Sequence, residues 1–298
     1  MSVYNGAATL QESVRSVLAQ EGVDLEFIIV DDGSTDACAA MLDGFARVDR
    51  RIRVIRQENR GLTHALIRGC AEARGEFIAR QDCDDLSLPG KLRREFQIMQ
   101  ARPELALVSC GTRFVGPKGE LLYEVARAGG DATDDLLTLD SMQLRGPAGH
   151  GSTLFRRDLY ARVGGYREQF YFAQDMDLWT RLVEHGRHIV IPEVLYQVSI
   201  GLGSISGLQR ARQVACAKII LECARLRRSG LSEDSALAKA IAIRPDGVPA
   251  RASDAAAALY FVGACLHKRH DPRARQYFVD ALRAYPLHIK SALRLVLG

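Results

Sequence analysis

Phe77-Ile78-Ala79-Arg80-Gln81-Asp82-Cys83-Asp84-Asp85 carries an apolar strand into three carboxylates, and the loop behind them ends at Pro89. Carboxylates crowded at one strand tip repel each other, so a cation belongs beside them. A divalent metal carrying a phosphorylated ligand is the economical answer, because Mg²⁺-type ions take hard oxygen ligands and keep company with phosphates. Upstream, Val30-Asp31-Asp32-Gly33-Ser34 closes another strand in the same manner. Aspartate also suits a plain solvated turn. Two acidic strand ends in one strand–helix alternation nevertheless point to one shared metal–nucleotide site.

Working outward, residues 1 to about 125 alternate strand and helix. Thr9 and Glu12 have the spacing of a capping box, ahead of an apolar face of Leu10, Val14, Val17 and Leu18. Strands are predicted over Glu26–Val30, Ile52–Arg56, Phe77–Arg80 and Leu105–Cys110. Helices are predicted over about Thr35–Ala46, over Leu62–Ala73 and after Pro89. Such alternation implies a doubly wound α/β domain, its sheet mixed but mostly parallel, with ligands beyond the carboxyl ends of the strands. Gly129 to Gly149 is aperiodic and expected to be a loop. A strand at Ser152–Phe155, helices at Asp158–Val163 and Met176–Glu184, and an extended segment at Ile189–Ile200 follow. From about Leu208 strand signals vanish, and the predicted division is 1–206 for the α/β domain and 207–298 for a helical region. Ala274, Phe278, Ala281 and Pro286 have the second-helix spacing of a tetratricopeptide unit, without three stacked repeats.

Composition limits the function classes. A chain of 298 residues with 47% apolar and 26% charged residues can bury a sizeable core. A net charge of +4 is too mild for nucleic-acid binding. No stretch approaches the roughly 18 apolar residues of a membrane span, and no signal peptide opens the chain. Seven cysteines lie without CxxC pairs; Cys216 and Cys223 would stand two helical turns apart, roughly 10 Å, too far to bridge. That pattern suggests reduced thiols in a cytoplasmic protein. There is no G-x-x-x-x-G-K-[ST] and no G-x-G-x-x-G, which disfavours a Walker or dinucleotide site.

Six motifs in order resemble those of the family-two, inverting glycosyltransferases of the GT-A fold. They are Ser2-Val3-Tyr4-Asn5-Gly6; Ile29-Val30-Asp31-Asp32-Gly33-Ser34-Thr35-Asp36; Asn59-Arg60-Gly61-Leu62; Asp82-Cys83-Asp84-Asp85 with Pro89; Gly164-Gly165-Tyr166; and Gln174-Asp175-Met176-Asp177-Leu178-Trp179. The resemblance covers about residues 1–206. It implies that Asp31 and Asp32 contact the base and ribose of a nucleotide sugar, with Tyr4 and Asn59 in the same pocket. Asp84 is implied as the main ligand of a Mg²⁺ or Mn²⁺ ion. Asp82 is implied near the ribose and metal, and Asp175 as the catalytic base. Asp177, by contrast, is expected to be structural. The implied donor is a nucleotide diphosphate sugar, a UDP-sugar favoured. The implied acceptor is a sugar or lipid-linked hydroxyl, in cell-surface polysaccharide or glycolipid synthesis. His150 matches a histidine often seen before the family's acceptor-side strand. Trp179 is expected in the core, and Arg156-Arg157 on a solvated face.

The chain departs from the family's pattern in places. Met1 begins almost at the Tyr-Asn turn, so the first strand is expected to be truncated. Val198-Ser199-Ile200-Gly201 stands where Tyr-Arg-x-His is common, Gln174 replaces a common Glu, and Leu66-Ile67 replaces Arg-Asn. Two rival readings follow: a sugar nucleotidyltransferase, or an inactivated nucleotide-sugar-binding relative that acts through its helical tail. In that tail Tyr277, Phe278, Ala281, Leu282, Ile289, Leu293 and Val296 are interleaved with Arg and Lys. One reading lays the tail on the inner face of the plasma membrane. The other packs it on the catalytic domain or on a second subunit in a homo-oligomer, which is the commoner fate of apolar stripes.

Overall fold

The computed structural model describes residues 1–201, 210–245 and 251–297. The chain forms two compact units. The first comprises Met1–Thr112, Val125–Gln197 and Gln213–Arg244, and the second Arg113–Glu124, Val198–Arg212 and Pro245–Gly298. The expected boundary at 206/207 lies outside the described residues.

In the first unit, β1 (Ser2–Val3) runs parallel to β2 (Phe27–Asp31), which runs parallel to β3 (Ile52–Arg56). Helices α1 (Ala7–Leu18), α2 (Cys38–Val48) and α3 (Leu62–Ala71) make the crossovers. Leu10, Val14 and Val17 of α1 and Leu42 of α2 bury against Val3, Phe27 and Ile29. On the other side of β2, Ile28 and Val30 pack on Ala65 of α3. β2 is thus covered on both faces, which explains its unbroken apolar run. α1 starts at Ala7, two residues before the expected capping box. Its first amide donates to Asp36 Oδ2 at 3.0 Å, so a carboxylate from another loop caps the helix.

The second sheet has the order β4 (Phe77–Ala79), β9 (Thr153–Arg156), β6 (Leu105–Val115), β10 (Arg187–Ser199), β5 (Leu86–Ser87), with β7 (Leu121–Val125) on β6 and β8 (Gly130–Asp131) on β10. A parallel bridge between Ser2 and Asp82 connects the two sheets at β1. The mixed α/β architecture expected is present; the mostly parallel pairing expected from the alternation holds for β1–β3 alone among the described strand pairs. β9 pairs antiparallel with both β4 and β6, and β10 antiparallel with β5 and β8. The stretch expected to be a plain loop contains β8 and α5 (Thr133–Leu137). α4 (Lys91–Ala101), α6 (Arg157–Arg162) and α7 (Gln174–Leu182) follow the predicted helices closely. α8 (Arg210–Arg228), from Gln213 on, and α9 (Asp234–Ile241) complete this unit, with Cys216, Ile220, Cys223, Ala236 and Ala240 sharing a core with Phe170 and Phe172.

The second unit holds a helical hairpin, α10 (Ala252–Lys268) and α11 (Ala274–Ala284), followed by α12 (Ile289–Leu297). Val262, Leu266, Ala274, Tyr277 and Phe278 enclose Leu122. Tyr277 donates its hydroxyl to the buried Glu120 at 2.6 Å.

Candidate active site

The sheet rim brings the two acidic tips together. Ser2 faces Val30 on one side and Asp82 on the other, and Val3 faces Asp31. Only β1 separates the two acidic strand ends, which sets their backbones roughly 10 Å apart at normal strand spacing. Asp31 and Asp32 are both buried. Asp31 Oδ1 accepts the Ser34 amide at 3.0 Å. Asp32 holds the neighbouring loop: Oδ1 accepts from Gln57 Nε2 (2.7 Å) and the Arg60 amide (3.0 Å), and Oδ2 from the Gly61 amide (2.8 Å). Gly33, at φ +78°, lies so close to this loop that a Cβ would meet the Asn59 nitrogen at 2.7 Å. Only glycine fits there. Tyr4 and Asn59 are exposed above the tip. Asn5 Oδ1 accepts the Thr35 amide at 2.8 Å and ties the β1 turn to the β2 loop.

Asp82 is fixed through three of its groups. Its carboxylate pairs with the buried guanidinium of Arg80. Its amide donates to the buried Tyr196 hydroxyl at 3.2 Å, and its carbonyl accepts from Ser13 Oγ at 2.9 Å. Gln81 shapes the following turn: Nε2 donates to the carbonyls of Asp82 (3.0 Å) and Asp85 (2.8 Å), and Oε1 accepts from Ser87 Oγ (2.7 Å). Burial alone would raise the Asp82 carboxyl, yet the Arg80 charge and its hydrogen bond bring it below the ordinary range. Asp84, two residues on, is exposed at the loop surface. Desolvation of its carboxyl, and then the Asp82 charge, push it upward.

His150 opens a short 3₁₀ turn (His150–Ser152) ahead of β9 and makes the opposite wall. Its Nε2 lies 3.4 Å from Arg80 Nε and 2.7 Å from the Tyr166 hydroxyl. An arginine nitrogen can only donate, so Nε2 is the acceptor and the ring proton sits on Nδ1. Burial, and then the Arg80 charge, lower the imidazole to about 3, which keeps it neutral near pH 7. His150 therefore supports the wall and carries no charge to it. Next to it, a Cβ on Gly151 would lie 1.8 Å from the Tyr196 hydroxyl, so glycine is what lets that tyrosine reach Asp82. Trp179 stands edge-on to His150 at 5.9 Å and lies in the core with Leu178 and Leu182.

Asp175 is the second residue of α7, whose start at Gln174 follows Ala173 in the left-handed region (φ 56°). Its Oδ1 accepts the Met176 amide at 2.8 Å. Burial raises its carboxyl, the Met176 amide opposes that, and the Asp82 charge adds to it. Asp175 thus lies within electrostatic reach of the Asp82–Arg80 pair. Asp177 is buried and paired with Arg181 and Arg167, a structural ion-pair cluster. Arg156 corrects an expectation. It is not on a solvated face: its guanidinium donates to the carbonyls of Leu105 (2.7 Å) and Met99 (2.8 Å) and lies over the Phe77 ring.

Among the described residues, no group of three or more His, Cys, Asp or Glu side chains forms a ready-made metal cage. The donor set instead fits a cation held by one or two carboxylates and completed by ligand phosphates, the usual habit of Mg²⁺. Asp84 is the exposed member and Asp82 the clamped one. Arg80, Gln81 and Tyr196 were not singled out from sequence. A cation two residues before an aspartate at a strand tip is the one local signal that could have marked Arg80.

The model of the family described as Glycosyl transferase family 2 matches residues 1–163. EpsE of Bacillus subtilis (strain 168), which carries a provisional glycosyltransferase name, is 30% identical over 204 residues, 66% of this chain and 70% of that protein. The O-antigen biosynthesis glycosyltransferase WbnJ of Escherichia coli is 27% identical over 184 residues, 61% of this chain and 70% of that protein. Among solved structures, S. aureus TarS 1-349 in complex with UDP-GlcNAc superposes with a TM-score of 0.57 at 16% identity, over 95% of this chain and 87% of that one. The mannosyltransferase PcManGT from Pyrobaculum calidifontis, solved with GDP-Man and Mn²⁺, gives 0.57 at 22% identity, over 99% and 85%. Those structures share the GT-A fold, and with the family's model spanning more than half its length the chain belongs to glycosyl transferase family 2.

Proposed function

We propose that this glycosyltransferase is inverting and cation-assisted, moving a sugar from a nucleoside diphosphate sugar to an acceptor hydroxyl in the assembly of a surface polysaccharide or glycolipid. The observation that carries the reading is the sheet rim, where β1 alone separates the Asp31–Asp32 tip from the clamped Asp82, and the upward shift of the Asp175 carboxyl supports it. Asp31, Asp32, Tyr4 and Asn59 line the nucleotide side. Asp32 acts there chiefly by holding the Arg60–Gly61 backbone in place. Asp84, with Asp82 beside it, would hold a Mg²⁺ or Mn²⁺ ion together with the donor diphosphate. That cation, when bound, offsets the charge growing on the leaving group.

Asp175 takes the proton of the acceptor hydroxyl as its oxygen forms the bond to the anomeric carbon. The bond to the diphosphate breaks on the opposite face, and the configuration inverts. A carboxyl raised in this way is a stronger base than an ordinary aspartate once ionised. The names and ligands of the relatives support a nucleotide-sugar donor, a divalent cation and a polysaccharide product.

Release of nucleoside diphosphate from a panel of nucleotide sugars, with Mn²⁺, Mg²⁺ or chelator, tests the reading. Asp84→Ala should abolish the cation dependence together with turnover. Asp175→Asn should lose about 10²-fold or more in turnover while donor still raises the melting temperature. Full turnover in Asp175→Asn would place the base elsewhere, and chelator-resistant turnover would remove the cation.

A further inference from the structure

The α12 helix packs on the second unit by one side only. Leu295 lies against the core around Leu122, Tyr277 and Phe278. Ser291 is fully buried, its hydroxyl 2.8 Å from Nδ1 of His288, whose ring stands 5.3 Å from Tyr260. The other side carries Ile289, Leu293 and Val296 at 72%, 52% and 81% exposure, preceded by Leu287 at 74%. At 3.6 residues per turn those three helical positions fall within roughly 60° of arc, a single apolar stripe. Lys290 and Arg294 follow along one border of it, both exposed. From residue 281 to 298 the sequence holds Arg283, Lys290 and Arg294 and no acidic side chain.

An apolar stripe bordered by cations matches an anionic lipid surface, where acyl chains receive the stripe and headgroup phosphates the cations. A second copy matches it less well. In a two-fold contact through this stripe the same cations would be brought toward each other, with no carboxylate on the helix to offset them. No helix among the described residues is long and apolar enough to cross a membrane, so the contact is in-plane. We infer that α12 docks this protein onto an anionic bilayer surface through Ile289, Leu293 and Val296, with Lys290 and Arg294 on the headgroups.

The inference does not need the transferase reading, and its test uses the full chain without donor. Flotation with vesicles of phosphatidylcholine alone, or mixed with phosphatidylglycerol, reads it directly. The protein should float with the mixed vesicles, less with the neutral ones, and less again in high salt. Ile289→Glu with Leu293→Glu should weaken binding to both by about tenfold or more per residue. Lys290→Gln with Arg294→Gln should weaken binding to the anionic vesicles alone, by about fivefold per charge. All four positions are exposed, so circular dichroism and melting should match the parent protein. The docking is overturned if the parent stays unbound with both vesicle types, or if the glutamate variant floats undiminished. Light scattering that shows a dimer which the same variant dissolves would assign the stripe to a second copy instead.

Discussion

A buried guanidinium against a carboxylate, as Arg80 is against Asp82, fixes that carboxylate's direction as well as offsetting its charge. Arg80 also donates to the Gln81 carbonyl at 2.9 Å and reaches His150, so it joins the strand tip to the opposite wall. Arg80→Lys keeps the charge and loses the fork. Its kcat/KM should fall by about 10- to 100-fold, the worth of one charged hydrogen bond. Most of that loss should be in kcat, with donor affinity by calorimetry nearly retained; parent-like turnover would remove Arg80 from the site's architecture. A second expectation concerns pH. If Asp175 is the base, activity rises with pH as its carboxyl ionises, and burial followed by the Asp82 charge places that rise above the ordinary aspartate range. Removing the like charge lowers the Asp175 value, so in Asp82→Asn the acid limb of the kcat profile should move to lower pH, whatever its height. A limb that stays in place would uncouple the two carboxylates. The three acids after an apolar strand were legible in sequence as a local pattern, whereas Asp175 was singled out only by the family resemblance, since an acid at a helix start reads equally well as a helix terminus. Tyr196 was not legible, since it meets Asp82 across 114 positions and only the folded sheet makes them neighbours.

At the scale of elements, α4 begins with an ion pair that sequence hides. Lys91 and Glu95 occupy adjacent turns of a helix whose apolar residues point to ordinary packing, yet both side chains are fully buried, 3.3 Å apart. Lys91 Nζ also lies 5.3 Å from the ring centre of Tyr196, whose hydroxyl holds the Asp82 amide. Burial outweighs the Lys91 charge and pushes the Glu95 carboxyl up to about 7. Such a pair stabilises little net, but each partner depends on the other. Lys91→Met alone should cost about 3–5 kcal/mol in urea unfolding, because it strands the Glu95 carboxylate. Adding Glu95→Met should restore most of that loss. Equal stability of the single and double variants would show that the pair is not coupled. The linkage sign also follows. A carboxyl raised in the folded state binds more protons folded than unfolded, so Glu95 lowers stability as pH rises from about 4.5 to about 7. Glu95→Gln should flatten that part of the stability–pH curve. The start of α1 teaches the same lesson about range: a local Thr9–Glu12 pattern lost to Asp36, which caps Ala7 from 29 residues away.

For the molecule as a whole, helix and strand alternation was legible up to Leu105 because period and turn residues are local. Which core each helix would join was not. α8 and α9 continue the helical character of the tail, yet Cys216, Ile220 and Ala236 share a core with Phe170 and Phe172 of the first unit. A separate cluster around Leu122, Leu266 and Phe278 serves the second unit. Two cores allow two unfolding events, and the acidic rim belongs entirely to the first unit. A ligand that binds only the folded first unit stabilises only that event. At a hundredfold excess over its Kd the gain is about 2.7 kcal/mol. For a unit of this size each kcal/mol raises the midpoint by about 2–4 °C. Calorimetry with nucleoside diphosphate and Mn²⁺ should therefore show one transition moving up by about 5–10 °C while the other stays. Asp84→Ala should cancel the shift and leave both transitions at their ligand-free positions. If both transitions rise together, the two cores unfold as one cooperative body, and the ligand's stabilisation is shared across it.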